Sequence, residues 1–133
     1  MTLTITPLYA GILAIWFIVL SMRVVAKRRA GINLGDGGDP DMLRRIRAHG
    51  NFAEYVPLIL VMMVMLEIGG VIAPWVLHAI GIALVVARVL HGIALAYTQK
   101  WLFGRFVGTL TTFILLAVCG VLCLWRGLAG LTL

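Results

Sequence analysis

Residues 44 to 58 read RRIRAHGNFAEYVPL, and they crowd three arginines, an asparagine and a glutamate into the start of a long apolar run. On a helix, positions four and seven apart share a face, so Arg47, Asn51 and Glu54 line up, with Tyr55 and Arg44 beside them and His49 pointing nearly the opposite way. Ionisable side chains on a membrane helix cost a few kcal/mol or more unless they are paired or hydrated. Val56 to Leu66 carries no charge at all. A helix that is polar at one end and hydrocarbon-soluble at the other is expected to line a protected site at the membrane boundary, turned away from lipid. The plainer reading of Arg47, Asn51 and Glu54 is an internal Arg–Glu pair that pins this helix to its neighbours. Arg44 and Arg45 can face headgroups, which is the preferred reading for Arg45.

A second candidate is Arg105, which opens the last apolar segment. An arginine beside the free N–H groups of a helix start makes an anion site, for a carboxylate or a thiolate; the alternative is an ordinary topological arginine. His91 is read first as a hydrogen-bonding residue of the helix bundle and second as a site residue. Arg88 can snorkel to the interface or meet Glu54. His78 reads as packing or interfacial, Glu67 as reaching the opposite interface, and Met62, Met63 and Met65 as lipid or core contacts. Cys119 and Cys123 stand one helical turn apart with nearly parallel side chains, a poor geometry for a bridge. They are expected to pack between helices, and no second ligand pair suggests a metal site.

The elements that must hold these residues follow from the apolar runs. The chain is 62% hydrophobic and 12% charged, a composition of integral membrane proteins. Four spans are expected at about 5–26, 40–68, 74–98 and 105–126, forming one domain over 1–133 with an all-α fold. The first is not read as a signal peptide: no positive charge precedes it, and it ends in Arg23 and Lys27-Arg28-Arg29. Gly31, Gly35, Gly37, Gly38 and Pro40 mark a loop, after which Asp39 or Asp41 can cap the second helix. Pro57 is expected to kink that helix or free a carbonyl, and Gly69-Gly70 to stop it. The second loop, Gly69 to Ala73, leads to Pro74 at the start of the third helix, with Trp75 as an interfacial anchor. The formal charge of +6 clusters in the first and third loops, which are therefore expected to be cytoplasmic, with both termini on the opposite side. No soluble basic domain is present to carry nucleic-acid binding.

The pattern Arg-x-x-Arg-Ala-His-x-Asn-x-x-Glu-Tyr-x-Pro-Leu, here Arg44 to Leu58, resembles the signature of the membrane-associated proteins in eicosanoid and glutathione metabolism, the MAPEG family. Four spans, a basic first loop, Ala-Arg-Val-Leu-His at 87–91 and an arginine opening the fourth helix extend the likeness. The Gly-Asp-Gly-Gly-Asp loop at 35–39 looks like the bacterial branch, which implies a bacterial cytoplasmic membrane. The resemblance implies a homotrimer of four-helix subunits with sites between neighbours, binding glutathione as co-substrate and using its thiol on lipophilic electrophiles or hydroperoxides. By position, Arg47, Asn51, Glu54 and Tyr55 match the family's glutathione-binding residues, with Arg47 suited to a carboxylate and Glu54 to the amine or to an arginine. Arg105 matches the arginine that stabilises the thiolate, Arg29 is a looser match to another family arginine, and His91 stands with Leu95 where leukotriene-forming members have tyrosines.

The leading expectation is thus a glutathione-dependent membrane transferase or peroxidase whose partners are itself, membrane lipid and a small lipophilic substrate. The second is a non-catalytic lipid-binding or scaffolding trimer of the same fold. A small four-helix multidrug transporter is disfavoured, because that class carries its characteristic glutamate in the first span and this chain has none there.

Overall fold

The computed structural model describes residues 3–70 and 72–131; Val71, in the expected second loop, lies outside them, as do residues 1, 2, 132 and 133. The described secondary structure is entirely helical: α1 spans Ile5–Arg29, α2 Pro40–Gly69, α3 Pro74–Ala96 and α4 Leu102–Leu131. All four are long and apolar enough to cross a membrane. At ~1.5 Å per residue α2 is roughly 45 Å long, more than a ~30 Å hydrocarbon core requires. The excess holds the arginine cluster.

Helix boundaries have local causes. Asp39 caps α2, accepting from Asp41 N at 2.8 Å and Met42 N at 3.3 Å, and Pro40 takes the first helical position. Gly70 ends the helix in the left-handed conformation at φ 63°. Pro57 lies within α2 without ending it.

α2 and α3 pack against each other, α1 and α4 lie on opposite sides of that pair, and α1 does not touch α4 among the described residues. The core joins Leu13 and Leu20 of α1 to Phe52, Val56, Ile59 and Met63 of α2, with Leu84 of α3 and Leu115 and Cys119 of α4. Small residues set the closest approaches. A Cβ on Gly108 would lie 2.6 Å from the Ala87 carbonyl oxygen, so α4 meets α3 nearly backbone to backbone. The outer faces of α1 and α4 leave Leu8, Ile15, Ile18, Phe103, Phe106 and Phe113 exposed, apolar surface suited to lipid or another subunit.

Polar side chains tie the helix ends together, and here three sequence expectations are corrected. Arg45 does not face outward: Nη2 meets Asp41 at 2.9 Å and Nη1 donates to the Arg23 carbonyl at 3.0 Å. Arg23 in turn donates to the Ala96 carbonyl at 2.8 Å and lies over the Tyr97 ring. These bonds join the ends of α1 and α3 to the start of α2, which explains why Arg45 is held inside. Lys27 pairs with Asp39 at 2.7 Å and Asp41 at 3.3 Å. The Lys27 ammonium and the first α2 amides hold the Asp39 carboxyl below its ordinary range.

Glu67 does not reach outward to an interface. Its carboxylate accepts from Thr4 N and Ile5 N at Oε1 and from Thr6 N at Oε2, each at 2.7 Å. It thus satisfies the unpaired amides at the start of α1, where the helix dipole favours negative charge. Arg88 neither snorkels nor meets Glu54, because it is sealed among α2, α3 and α4 at 1% exposure. Trp75 is exposed and His78 accepts or donates a 2.8 Å bond with the Tyr9 hydroxyl. His49 stacks on Phe17 at 4.6 Å, away from the Arg47 face.

Candidate functional site: an arginine-lined cleft

An open cleft of about 350 Å³ lies between α2, α3 and α4, at the basic end of the bundle. Leu43, Arg44, Arg47 and Asn51 come from α2, His91 and Leu95 from α3, and Arg105 and Thr109 from α4. The helical repeat explains the grouping: 44, 47 and 51 recur on one stripe, 91 and 95 are one turn apart, and so are 105 and 109. The volume falls within the range of small-molecule sites.

The electrostatics are one-sided. Three arginines line the cleft and no carboxylate does. Arg44 leans on Asp41 at 3.2 Å, and Arg47 approaches Glu54 only to 3.9 Å, with both side chains more than half exposed. Arg105 makes no ion pair among the described residues and sits in the first turns of α4, near its positive dipole end. Such a surface attracts an anion with more than one negative group.

Beneath the cleft lies Arg88. Its Nη2 donates to Asn51 Oδ1 at 2.9 Å and faces His91 Nδ1 at 3.4 Å, while Nη1 donates to Thr112 Oγ1 at 3.3 Å. Thr112 passes its own proton to the Gly108 carbonyl at 2.7 Å. The guanidinium also lies 5.7 Å from the Phe52 ring centroid, and no carboxylate is within ion-pair distance among the described residues. One cation therefore fixes side chains from α2, α3 and α4 through neutral acceptors.

Of the residues singled out in the sequence, Arg47, Asn51, His91 and Arg105 come together in the cleft. Glu54 stands outside it, linked through Arg47; Tyr55 packs edge-on against Phe113 at 5.4 Å; Arg29 ends α1, exposed, and does not line the cleft of its own chain. His91 is buried in the bundle and also lines the cleft. Arg44 and Thr109 join the lining beyond the residues expected from sequence, each one turn from an arginine of that set. Arg88 also belongs with this group, and its spacing of three from His91, which puts both on one face, is the signal in the sequence.

The model of the MAPEG family matches residues 6–125. The inner membrane protein YecN of Escherichia coli (strain K12) is 35% identical over 88 residues, 65% of this chain and 66% of that protein. The protein of the same name from Escherichia coli O6:H1 matches to the same extent. The chain thus spans just under two thirds of the length of these curated relatives. Four apolar helices and an inner membrane relative make this an integral membrane protein.

Proposed function

Because the chain belongs to the MAPEG family, we propose that its basic cleft binds glutathione as co-substrate. The protein then acts as a membrane transferase or peroxidase on lipophilic electrophiles or hydroperoxides. The observation that carries this reading is the convergence of Arg47, Asn51, His91 and Arg105 from three helices on one open cleft without a carboxylate. Glutathione offers two carboxylates and a thiol, which suit three arginines. Arg44 and Arg47 take carboxylates, and Arg105 lies beside the sulfur, where its charge favours the thiolate. The thiolate attacks an apolar electrophile arriving from the bilayer along the exposed face of α4, and the new bond to sulfur forms as the leaving group departs with its electron pair. With a hydroperoxide the O–O bond breaks, the alcohol leaves, and a second glutathione converts the oxidised sulfur to the disulfide with release of water. Glu54, outside the lining but within 3.9 Å of Arg47, accepts from the tripeptide's amine.

The assembly in this reading is a homotrimer with its basic end in the cytoplasm. The cleft is open in the single chain, and Arg29 lies on the α1 side, away from it, which suits completion of each cleft by a neighbouring subunit. The test is calorimetric titration of glutathione into detergent-purified protein. Saturable binding is expected, weakened about tenfold or more in Arg47→Ala, the cost of one charge-assisted contact. Well-folded protein that gives no binding at millimolar glutathione contradicts the reading.

A further inference from the structure

The cleft contains two side chains that can each present either hydrogen-bond polarity to a ligand. Asn51 has an oxygen that accepts and an amide nitrogen that donates; a neutral histidine donates from one ring nitrogen and accepts at the other. Nothing intrinsic to either residue fixes which end faces the ligand. The buried guanidinium behind them does. Arginine carries five N–H donors and no acceptor, so each group it meets must face it with a lone pair. Asn51 Oδ1 stands 2.9 Å and His91 Nδ1 3.4 Å from the same Nη2 atom. Reversing the amide, or placing the ring proton on Nδ1, would set donor against donor in a region from which water is excluded, since Arg88 is 1% and His91 3% exposed.

The geometry points to Arg88 as a positioning residue that sets the hydrogen-bond polarity of the cleft: it holds Asn51 Oδ1 and His91 Nδ1 inward, so that Asn51 Nδ2–H and His91 Nε2–H are turned to the ligand as donors. With Arg44, Arg47 and Arg105, the lining then offers donors almost throughout. Thr109 is the exception. Its hydroxyl proton goes to the Arg105 carbonyl at 2.9 Å, which leaves only lone pairs for a ligand. The site is therefore built for a ligand whose deep end is a hydrogen-bond acceptor bearing negative charge, and it rejects an ammonium there. His91 is a neutral donor to the bound anion and does not serve as the base that takes the thiol proton. This deepens the glutathione reading and rests on it for the identity of the anion; the polarity of the lining does not.

The fold holds Arg88 in place from several sides. Thr112 of α4 accepts from Nη1, the Phe52 ring lies below the guanidinium, and Trp16 Nε1 donates to the Arg88 carbonyl at 3.2 Å from α1. The cation's hydrogen-bond partners are neutral, and no carboxylate lies within ion-pair distance of it among the described residues. A lysine at this position would keep a donor-only cation, whereas methionine would keep length without either property.

The test is the tautomer of His91 in ligand-free protein, read by nitrogen–proton correlation NMR on isotope-labelled histidine, with its signals assigned by their loss in His91→Gln. His49 and His78 are the other two histidines of the chain and report on folding. The wild type is expected to show a single Nε2–H form, Arg88→Met a mixture of tautomers as in free imidazole, and Arg88→Lys a return to the single form. An Nδ1–H form or a mixture in the wild type overturns the inference. So does an unchanged single form in Arg88→Met with native His49 and His78 signals. If Arg88→Met does not fold, the wild-type spectrum decides alone. No glutathione is present, so a failure here and a failure of glutathione binding are separate results.

Discussion

Arg88 on α3 donates from Nη2 to Asn51 Oδ1 on α2 at 2.9 Å, and this bond joins the buried centre of the bundle to the wall of the cleft. The two residues stand 37 positions apart in sequence. Asn51→Leu leaves a buried cation short of an acceptor and is expected to cost about 2 kcal/mol, the scale of a hydrogen bond to a charged group. Asn51→Asp gives Arg88 a carboxylate instead, so stability holds or rises, while a negative charge in the cleft lowers glutathione affinity by about tenfold or more. Thermal unfolding in detergent and binding calorimetry on the two variants check both halves.

Glu67 predicts a different separation. Its two oxygens accept three backbone N–H groups at the start of α1. In Glu67→Gln one oxygen becomes an amide donor turned toward those donors, and the favourable charge at the helix start is lost. A destabilisation of about 2 kcal/mol is expected, with faster hydrogen exchange at the first amides of α1. Glutathione binding at the other end of the bundle should be unchanged in the folded variant.

The contrast between these two contacts shows what the sequence reveals and what it conceals. Charge-free runs between breakers mark four helices, and Asp39-Pro40 and Gly69-Gly70 mark the ends of α2 by their own chemistry. Helical spacing likewise places Arg47 and Asn51 on one stripe, and the structure adds His91 and Arg105 from the facing helices. Spacing gives the direction of a side chain around its own helix but not the neighbour it meets. Glu67 bonds to backbone amides more than 60 residues away, and backbone carries no signature in sequence. Arg45 and Arg88 were misplaced for the same reason. Arg45 reaches the Arg23 carbonyl of α1 besides Asp41 of its own helix, and Arg88 meets neutral side chains on α2, α3 and α4, partners set by how the helices pack.

The first loop gives a pH prediction. The Asp39 carboxyl is held below its ordinary range by Lys27 and by the first amides of α2. A depressed folded value means that the ionised group stabilises the fold above its unfolded value of ~3.9, and that this contribution is lost as pH falls through the lower folded value. Asn at this position still caps the helix but has no charge. Wild type should therefore unfold at a higher temperature than Asp39→Asn near neutral pH, and the gap should close on acidification below ~3.9. A gap that stays constant down to the acid limit would contradict the ion pair.

In the proposed mechanism Arg105 turns a bound thiol into a nucleophile. The direct measurement is the ultraviolet thiolate absorbance of glutathione mixed with purified protein near neutral pH, where a free thiol of pKa ~8.5 is mostly protonated. A thiolate band is expected that saturates with binding in the wild type and is missing from Arg105→Ala, even where that variant still binds the tripeptide. A saturated wild-type protein whose thiol stays protonated, or an equal band in Arg105→Ala, would contradict it.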